Sequence, residues 1–135
     1  VAIEQADLII LVMDGVQGPT EADRRAVGLL RRSDRPVLFI ANKVDSEKSV
    51  LDANELFELG IDSLISVSAL HGRGFHELED ALVQALPAVE EPTDSQVEDV
   101  IRVAVVGRPN AGKSSLINRL AGEDRVLVDS RSGIT

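Results

Sequence analysis

Several residue types that support common protein chemistries are missing from this sequence. Its 135 residues include no cysteine, tryptophan or tyrosine, and only two histidines. Without cysteine, the chain cannot form disulfides, zinc–thiolate or iron–sulfur centres, or use a cysteine nucleophile. No apolar run approaches the roughly 20 residues that a membrane-spanning helix needs, and no basic leader precedes an apolar stretch. We therefore expect a cytoplasmic protein with no membrane partner.

The remaining composition is that of an ordinary globular protein with an uneven charge. Hydrophobic residues make up 44% and charged residues 27% of the chain, which excludes a disordered chain. The formal net charge of −9 argues against a surface that binds nucleic-acid phosphates throughout, so we expect no DNA partner. Residues 1–101 carry 8 basic and 20 acidic side chains, whereas residues 102–135 carry 6 and 3, which indicates two regions with different roles.

Apolar runs that end in turn residues alternate with amphipathic stretches along the chain. The amphipathic stretches predict helices, including one at about 51–59 and one at about 113–121. The apolar runs predict buried strands at residues 8–13, 37–41, 64–67 and 101–106. This order predicts an α/β fold with a mostly parallel sheet and helices on both faces, and ligands bind to such sheets at the carboxyl ends of the strands.

Residues 107–114 match the phosphate-loop pattern G-x-x-x-x-G-K-[ST] at every fixed position, between a predicted strand and a predicted helix. The two glycines permit a close backbone approach, so that consecutive N–H groups can cradle phosphate oxygens. Lys113 would bring its charge to the β and γ phosphates as a catalytic residue, and the Ser114 hydroxyl would ligate Mg²⁺. The predicted nucleotide-binding residues here are Gly107, Arg108, Pro109, Asn110, Ala111, Gly112, Lys113, Ser114 and Ser115.

A second motif follows the predicted strand at residues 37–41. It consists of Asn42, Lys43, Val44 and Asp45. A carboxylate at Asp45 can accept hydrogen bonds from the N1–H and the exocyclic amine of guanine, but would be poorly paired against adenine. Asn42 would tie this loop either to the purine edge or to the phosphate loop, and the Lys43 stem would lie over the base. At the next strand end, backbone N–H groups of Ser68, Ala69 and Leu70 would read the guanine O6.

Together these residues resemble the Ras-like GTPases, and among them the Der, or EngA, family, which carries two G domains in tandem. The resemblance covers nearly the whole chain. Residues 42–45 and 68–74 resemble the base-recognition loops of the first G domain, and residues 107–120 resemble the phosphate loop and first helix of the second. The division that this implies is 1–87 for the C-terminal part of one G domain, 88–100 for an acidic linker, and 101–135 for the start of another.

The resemblance also implies a function and further ligands. Members of the family are GTP-binding, GTP-hydrolysing proteins that act in assembly of the large ribosomal subunit, so the expected partners are that subunit and its rRNA. The expected cofactors are GTP or GDP, Mg²⁺ and K⁺. Residues 132–135 resemble the switch I segment, whose threonine, here Thr135, would ligate Mg²⁺ and take part in catalysis. Asn110 would help to coordinate K⁺.

Two departures and one alternative accompany this resemblance. The sequence contains no Asp-x-x-Gly motif and only one phosphate loop, so neither G domain is complete within it, and we expect the chain alone to hydrolyse GTP poorly. In a circularly permuted ribosome-assembly GTPase, residues 42–45 and 107–114 would serve one nucleotide. In a tandem protein, the two loops belong to separate sites, and we expect them to lie too far apart to share one.

Overall fold

Four strands form one parallel sheet in the computed structural model, which describes residues 2–86 and 101–122. The strands are β1 (Leu8–Asp14), β2 (Val37–Asn42), β3 (Ile65–Ser66) and β4 (Val103–Gly107). Their order across the sheet is β3-β2-β1-β4, and all neighbours are parallel. The predicted α/β fold with a parallel sheet is confirmed.

Helices connect the strands and cover the sheet. They are α1 (Ala2–Gln5), α2 (Glu21–Leu30), α3 (Glu47–Ala53), a 3₁₀ helix (Asn54–Leu59), α4 (Phe75–Ala85) and α5 (Lys113–Ala121). Among the helices that the structure describes, none has the length and apolar character to cross a bilayer.

The helix predicted at about 51–59 is wrong in its extent. It begins earlier, because Ser46 and Ser49 form a reciprocal capping box in which each side chain accepts the other's backbone N–H. Its second half is the 3₁₀ helix, which ends at Gly60 with a φ of 80°. Serine pairs are weak signals of a helix start, because they occur as often in turns.

The core lies on both faces of β1, which is buried along all seven of its residues. Ile9, Leu11 and Met13 contribute to a cluster that includes residues of α2, α3 and the 3₁₀ helix. The alternate residues Ile10 and Val12 pack into a second cluster with residues of α4 and α5. β1 is therefore the centre of a sheet covered by helices on both faces, as a continuous apolar run predicts.

β4 joins the sheet beside β1, with partners that run from Leu8 and Val103 to Val12 and Gly107. One sheet thus contains strands from both sides of the acidic segment 88–100. That segment, and with it the proposed linker, lies outside the described residues. So does Thr135 with the rest of the proposed switch I segment.

Candidate functional site

The carboxyl ends of β1, β2 and β4 meet at one edge of the sheet. A cavity of about 510 Å³ lies there, which is within the usual range for small-molecule sites. Its walls include Asp14, Lys43, Asp45 and Leu70 from one part of the sequence and Gly112 and Ser115 from the other. Residues on both sides of 88–100 therefore face the same cavity.

The phosphate loop has a backbone that glycine alone fits at two points. Gly107 has a φ of 152°, and a Cβ there would collide with the carbonyl oxygen of Val12. Gly112 has a φ of 98°, and a Cβ there would collide with the Asn42 amide nitrogen. Asn110 also has a positive φ, of 67°, which asparagine tolerates better than most residues. The loop closes tightly between β4 and the start of α5.

Lys113, one of the two predicted catalytic residues, lies at the N-terminus of α5. Gly112 is the N-cap and supplies no side-chain cap, so the first-turn amides of α5 are left to other acceptors. Lys113 Nζ crosses the loop and donates to the carbonyl oxygen of Gly107 at 2.6 Å. Ser114 and Ser115 are exposed on the first turn, beside the cradle.

Arg108 connects the phosphate loop to α2. Its Nε lies 3.4 Å from a carboxylate oxygen of Asp23, a residue only 1% exposed in the first turn of α2. The contact is an ion pair that lacks the alignment of a hydrogen bond. Asp23 also accepts the backbone N–H of Thr20 and completes the capping box of α2. Pro109 and Asn110 are exposed at the tip of the loop.

Asn42 joins the loop of residues 42–45, called the base loop from here on, to the phosphate loop. Its side chain is 3% exposed, its Nδ2 donates to the carbonyl oxygen of Ala111 at 2.9 Å, and its Oδ1 accepts the backbone N–H of Ala69 at 3.0 Å. One amide therefore binds both the phosphate loop and the loop of residues 68–70. Of the two roles that the sequence left open for Asn42, the structure shows the bond to the phosphate loop.

The expectation that the two loops lie too far apart to share a nucleotide is wrong for this structure. The physical reason is the pairing of β4 with β1. β1 would otherwise present an unpaired edge in the middle of the core, and buried backbone N–H and C=O groups must find partners. The sequence contains one phosphate-loop strand, and that strand fills the position.

Lys43 and Asp45, both in the base loop, line the cavity. Lys43 adopts a φ of 68° directly after β2, and its Nζ donates to Asp14 Oδ2 at 2.9 Å. Asp45 is exposed, and its backbone N–H donates to Ser49 Oγ at 2.9 Å. Val44, in contrast, is 7% exposed and packs in the core.

Asp14 is a buried carboxylate that the motifs did not indicate. Burial opposes its ionisation, but the Lys43 ammonium and the amides of Val16 and Gln17 outweigh that effect, so the pKa of Asp14 lies below its ordinary value. A lone Asp-Gly after a strand is typical of a turn, so sequence reasoning gave it no role.

Arg119 is another residue that sequence reasoning missed. From the exposed side of α5, its Nε donates to the carbonyl oxygen of Ala69 at 3.1 Å and its Nη2 to that of Leu70 at 3.0 Å. No signal in the sequence pairs position 119 with position 69, because the contact depends on how β4 joins the sheet.

The phosphate cradle fits the magnesium ion that its motif implies. Mg²⁺ usually keeps several waters and takes one or two protein ligands plus phosphate oxygens. Ser114 offers one exposed hydroxyl at the edge of the cradle. The part of the chain that the structure describes contains no cluster of three or more acidic or histidine side chains that would hold a metal without phosphate.

Comparison with known families divides the chain at the acidic segment. The family described as the elongation factor Tu GTP-binding domain matches residues 1–88. The family described as 50S ribosome-binding GTPase matches residues 102–135. The two matches do not overlap and are separated by residues 89–101.

Individual relatives match almost the whole chain. The protein named GTPase Der from Trichlorobacter lovleyi is 46% identical over 134 residues, which is 99% of this chain and 29% of that protein. GTPase Der from Geobacter metallireducens is 48% identical, over 99% of this chain and 30% of that protein. The chain thus spans about 30% of the length of the curated relatives it matches.

One solved structure has a similar fold and some sequence likeness. It is Era in complex with MgGDPNP and nucleotides 1506–1542 of 16S ribosomal RNA, with a TM-score of 0.57 and 27% identity. The match covers 73% of this chain and 34% of that one.

Proposed function

Because the chain belongs to the family of the elongation factor Tu GTP-binding domain, we propose that it binds guanine nucleotides at the cavity described above and is part of a GTPase. The observation that carries this proposal is the position of Asn42. Its amide holds the phosphate loop at Ala111 and the loop of residues 68–70 at Ala69, so one ligand can reach both. Nucleoside diphosphates and triphosphates have a base at one end and phosphates at the other.

The base end of the proposed site selects guanine. Asp45 is exposed beside the cavity, and its carboxylate would accept the N1–H and the exocyclic amine of the base. The Lys43 stem, held at its tip by Asp14, lies along the cavity wall where it would cover the flat face of the base. The loop of residues 68–70 would supply a backbone N–H donor for O6. Adenine would leave the Asp45 carboxylate badly paired.

The phosphate end neutralises charge. Backbone N–H groups of residues 107–115 and the N-terminus of α5 would surround the phosphates, and Lys113 would exchange the Gly107 carbonyl for a β or γ oxygen. Ser114, and Thr135 from outside the described residues, would hold Mg²⁺. When bound, Mg²⁺ offsets the negative charge that develops as water attacks the γ phosphate. Asn110, exposed at the tip of the loop, would contribute an oxygen to K⁺.

Equilibrium binding of GDP in the presence of Mg²⁺ tests this function. We expect the chain to bind GDP at least about 100-fold more tightly than ADP, because a buried polar mismatch discriminates strongly. Lys113→Ala should weaken GDP binding at least about tenfold, since it removes a charge from the phosphates. Lys48→Ala, which removes an exposed lysine from α3, is the matched control and should change nothing. Failure of the unaltered chain to bind GDP would refute the proposal.

For domain organisation, residues 1–87 are the C-terminal part of one G domain, 88–100 a linker and 101–135 the start of a second. Two different families match on either side of that linker, and relatives with the same order extend well beyond this chain. In the 135-residue chain, β4 then occupies the sheet position of the first domain's own phosphate-loop strand. This arrangement also explains why a tandem sequence shows one shared cavity.

The longer protein would act in the cytoplasm in assembly of the large ribosomal subunit and contact its rRNA. Residues 102–135 match a family described as 50S ribosome-binding GTPase, which supports the large subunit, and the structure of Era with part of 16S ribosomal RNA supports a contact with rRNA. Co-sedimentation of the longer protein with large subunits, in the presence of a non-hydrolysable GTP analogue, tests this role. Lys113→Ala should reduce the bound fraction, and binding that ignores both nucleotide and Lys113 would contradict a GTP-dependent role.

A further inference from the structure

In the loop of residues 68–70, one backbone N–H has no acceptor among the described residues. The N–H groups of Ser68, Ala69 and His71 donate to the Arg73 carbonyl, the Asn42 side chain and the Ser68 hydroxyl. Among the described residues, the N–H of Leu70 has no such acceptor. Leu70 lines the cavity, and its side chain is 77% exposed. Its amide is therefore the donor in this loop that is available to a ligand.

Arg119 holds the peptide group to which this donor belongs. The carbonyl oxygen of Ala69 and the N–H of Leu70 are parts of one planar trans peptide, so fixing the direction of the oxygen fixes the direction of the hydrogen. Arg119 Nε binds that oxygen at 3.1 Å, and Nη2 binds the next carbonyl, that of Leu70, at 3.0 Å. The rigid guanidinium fork thereby orients two consecutive peptide groups.

Arg119 also connects two parts of the site that are distant in sequence. It lies on α5, the helix that begins at Lys113, directly after the phosphate loop. Its acceptors lie in the loop that faces the base. A charged donor on the Ala69 oxygen also polarises that peptide and makes the Leu70 N–H a better donor.

We propose that Arg119 is a positioning residue that aims the Leu70 amide at O6 of the guanine base, so that base selectivity depends on the phosphate-loop helix. This inference rests on the proposed guanine-nucleotide site. Arg119 would act through the loop, because both of its hydrogen bonds end on backbone carbonyl oxygens there.

The test compares nucleotides that differ in the groups by which the site would recognise the base. The 5′-diphosphate of 2-aminopurine riboside lacks O6 and, with it, the hydrogen on N1, whereas inosine 5′-diphosphate keeps both and lacks the exocyclic amine that Asp45 would bind. Arg119→Lys keeps the charge and most of the stem but loses the fork. We expect it to weaken GDP binding about fivefold to tenfold, the worth of one hydrogen bond, and to change binding of the 2-aminopurine nucleotide less than about twofold. The preference for GDP over inosine diphosphate should persist.

Arg31 provides a matched control within the same chain. Its Nη2 also donates to two consecutive backbone carbonyls, those of Leu59 and Gly60, but at the end of the 3₁₀ helix and away from the cavity. Arg31→Lys should alter none of the three affinities. Because it removes a similar clamp, it separates general loosening of the fold from loss of O6 recognition.

The outcomes distinguish this inference from the function on which it rests. If the unaltered chain binds GDP and Arg119→Lys leaves the ratio of GDP to 2-aminopurine nucleotide affinities unchanged, the role of Arg119 is overturned and the guanine site stands. If Arg119→Lys weakens all three nucleotides equally, the role in O6 recognition is likewise overturned. If the unaltered chain binds none of them, the proposed function falls and this inference with it.

Discussion

Two buried polar side chains, Asn42 and Asp14, hold the loops of the site in place. Asn42 is 3% exposed and uses both ends of its amide, whereas Asp14 is 3% exposed and accepts from one ammonium and two amides. Polar groups this well buried are retained when their hydrogen bonds are satisfied, and they are costly to remove singly. Each therefore supports a prediction about stability as well as binding.

Asn42→Ala should destabilise the chain by about 2–4 kcal/mol, because it leaves the Ala111 carbonyl and the Ala69 N–H buried without partners. Urea unfolding followed by circular dichroism measures the change. Asn54→Ala is the control, since Asn54 is exposed at the end of α3 and its loss should cost less than about 0.5 kcal/mol. Equal effects of the two substitutions would contradict the bridging role of Asn42.

Asp14→Asn should make the free energy of unfolding depend less on pH in the acid range. The pKa of Asp14 is lowered in the folded chain from an ordinary value of 3.8. A lowered pKa contributes stability that is complete above the unfolded value and is lost as the pH falls through the folded value. Unfolding free energies should therefore differ between the two chains by about 1–2 kcal/mol at pH 7, and converge below pH 3.8.

The control for this pH dependence is Asp34→Asn, at an exposed position. It should leave the unfolding free energy within about 0.5 kcal/mol of the unaltered chain at every pH. A difference between Asp14→Asn and the unaltered chain that grows as the pH falls would contradict the assignment, because it would mean that the ionised carboxylate is destabilising.

Regular elements were predictable where one physical signal dominated. The continuous apolar run identified β1, and α5 was predicted with its bounds. The start of α3 was missed because it depends on two serines, and the 3₁₀ helix because its periodicity resembles that of an α-helix over six residues. Pairing of strands far apart in sequence leaves no local signal, so the position of β4 was not predictable.

Substitution by alanine should have opposite effects on stability at two glycines, one in α2 and one in the phosphate loop. Gly28 lies within α2 with nothing within 4 Å of an added Cβ, so Gly28→Ala should stabilise the chain by about 0.5–1 kcal/mol. Gly112 has a φ of 98° and faces the Asn42 amide, so Gly112→Ala should destabilise the chain and abolish measurable GDP binding. Thermal unfolding and GDP titration measure the two effects. A gain of stability in both variants would contradict the backbone conformation of the phosphate loop at Gly112.

The site as a whole was only partly predictable. Residues 42–45, 68–70 and 107–115 were identified from motifs, because phosphates and guanine demand particular backbone and side-chain groups. Their convergence on one cavity was not, since the tandem order of the sequence implied two sites. Asp14 and Arg119 were missed because each contacts other residues of the site, and such contacts are visible only once the chain is folded.

We expect the 135-residue chain to hydrolyse GTP poorly, even under conditions in which it binds GDP. Its sequence has no Asp-x-x-Gly motif, which in related GTPases lies near the γ phosphate and the attacking water. Phosphate release from GTP under single-turnover conditions measures this, with GDP binding as the check that the site is formed. Turnover comparable to that of an intact G domain would show that other residues position the water.

A change of base specificity tests whether the base loop and the phosphate loop bind one nucleotide. Xanthine has an oxygen where guanine has its exocyclic amine. Asp45→Asn replaces a carboxylate by an amide that accepts N1–H and donates to that oxygen, so binding should change from GDP to xanthosine diphosphate.

The decisive measurement is xanthosine diphosphate affinity of the Asp45→Asn chain with and without Lys113→Ala. A shared site predicts that Lys113→Ala weakens this binding at least about tenfold, because Lys113 would contact the phosphates of the nucleotide whose base faces position 45. Affinity for xanthosine diphosphate that is unaffected by Lys113→Ala would show that the two loops serve different ligands, and would contradict a shared nucleotide site.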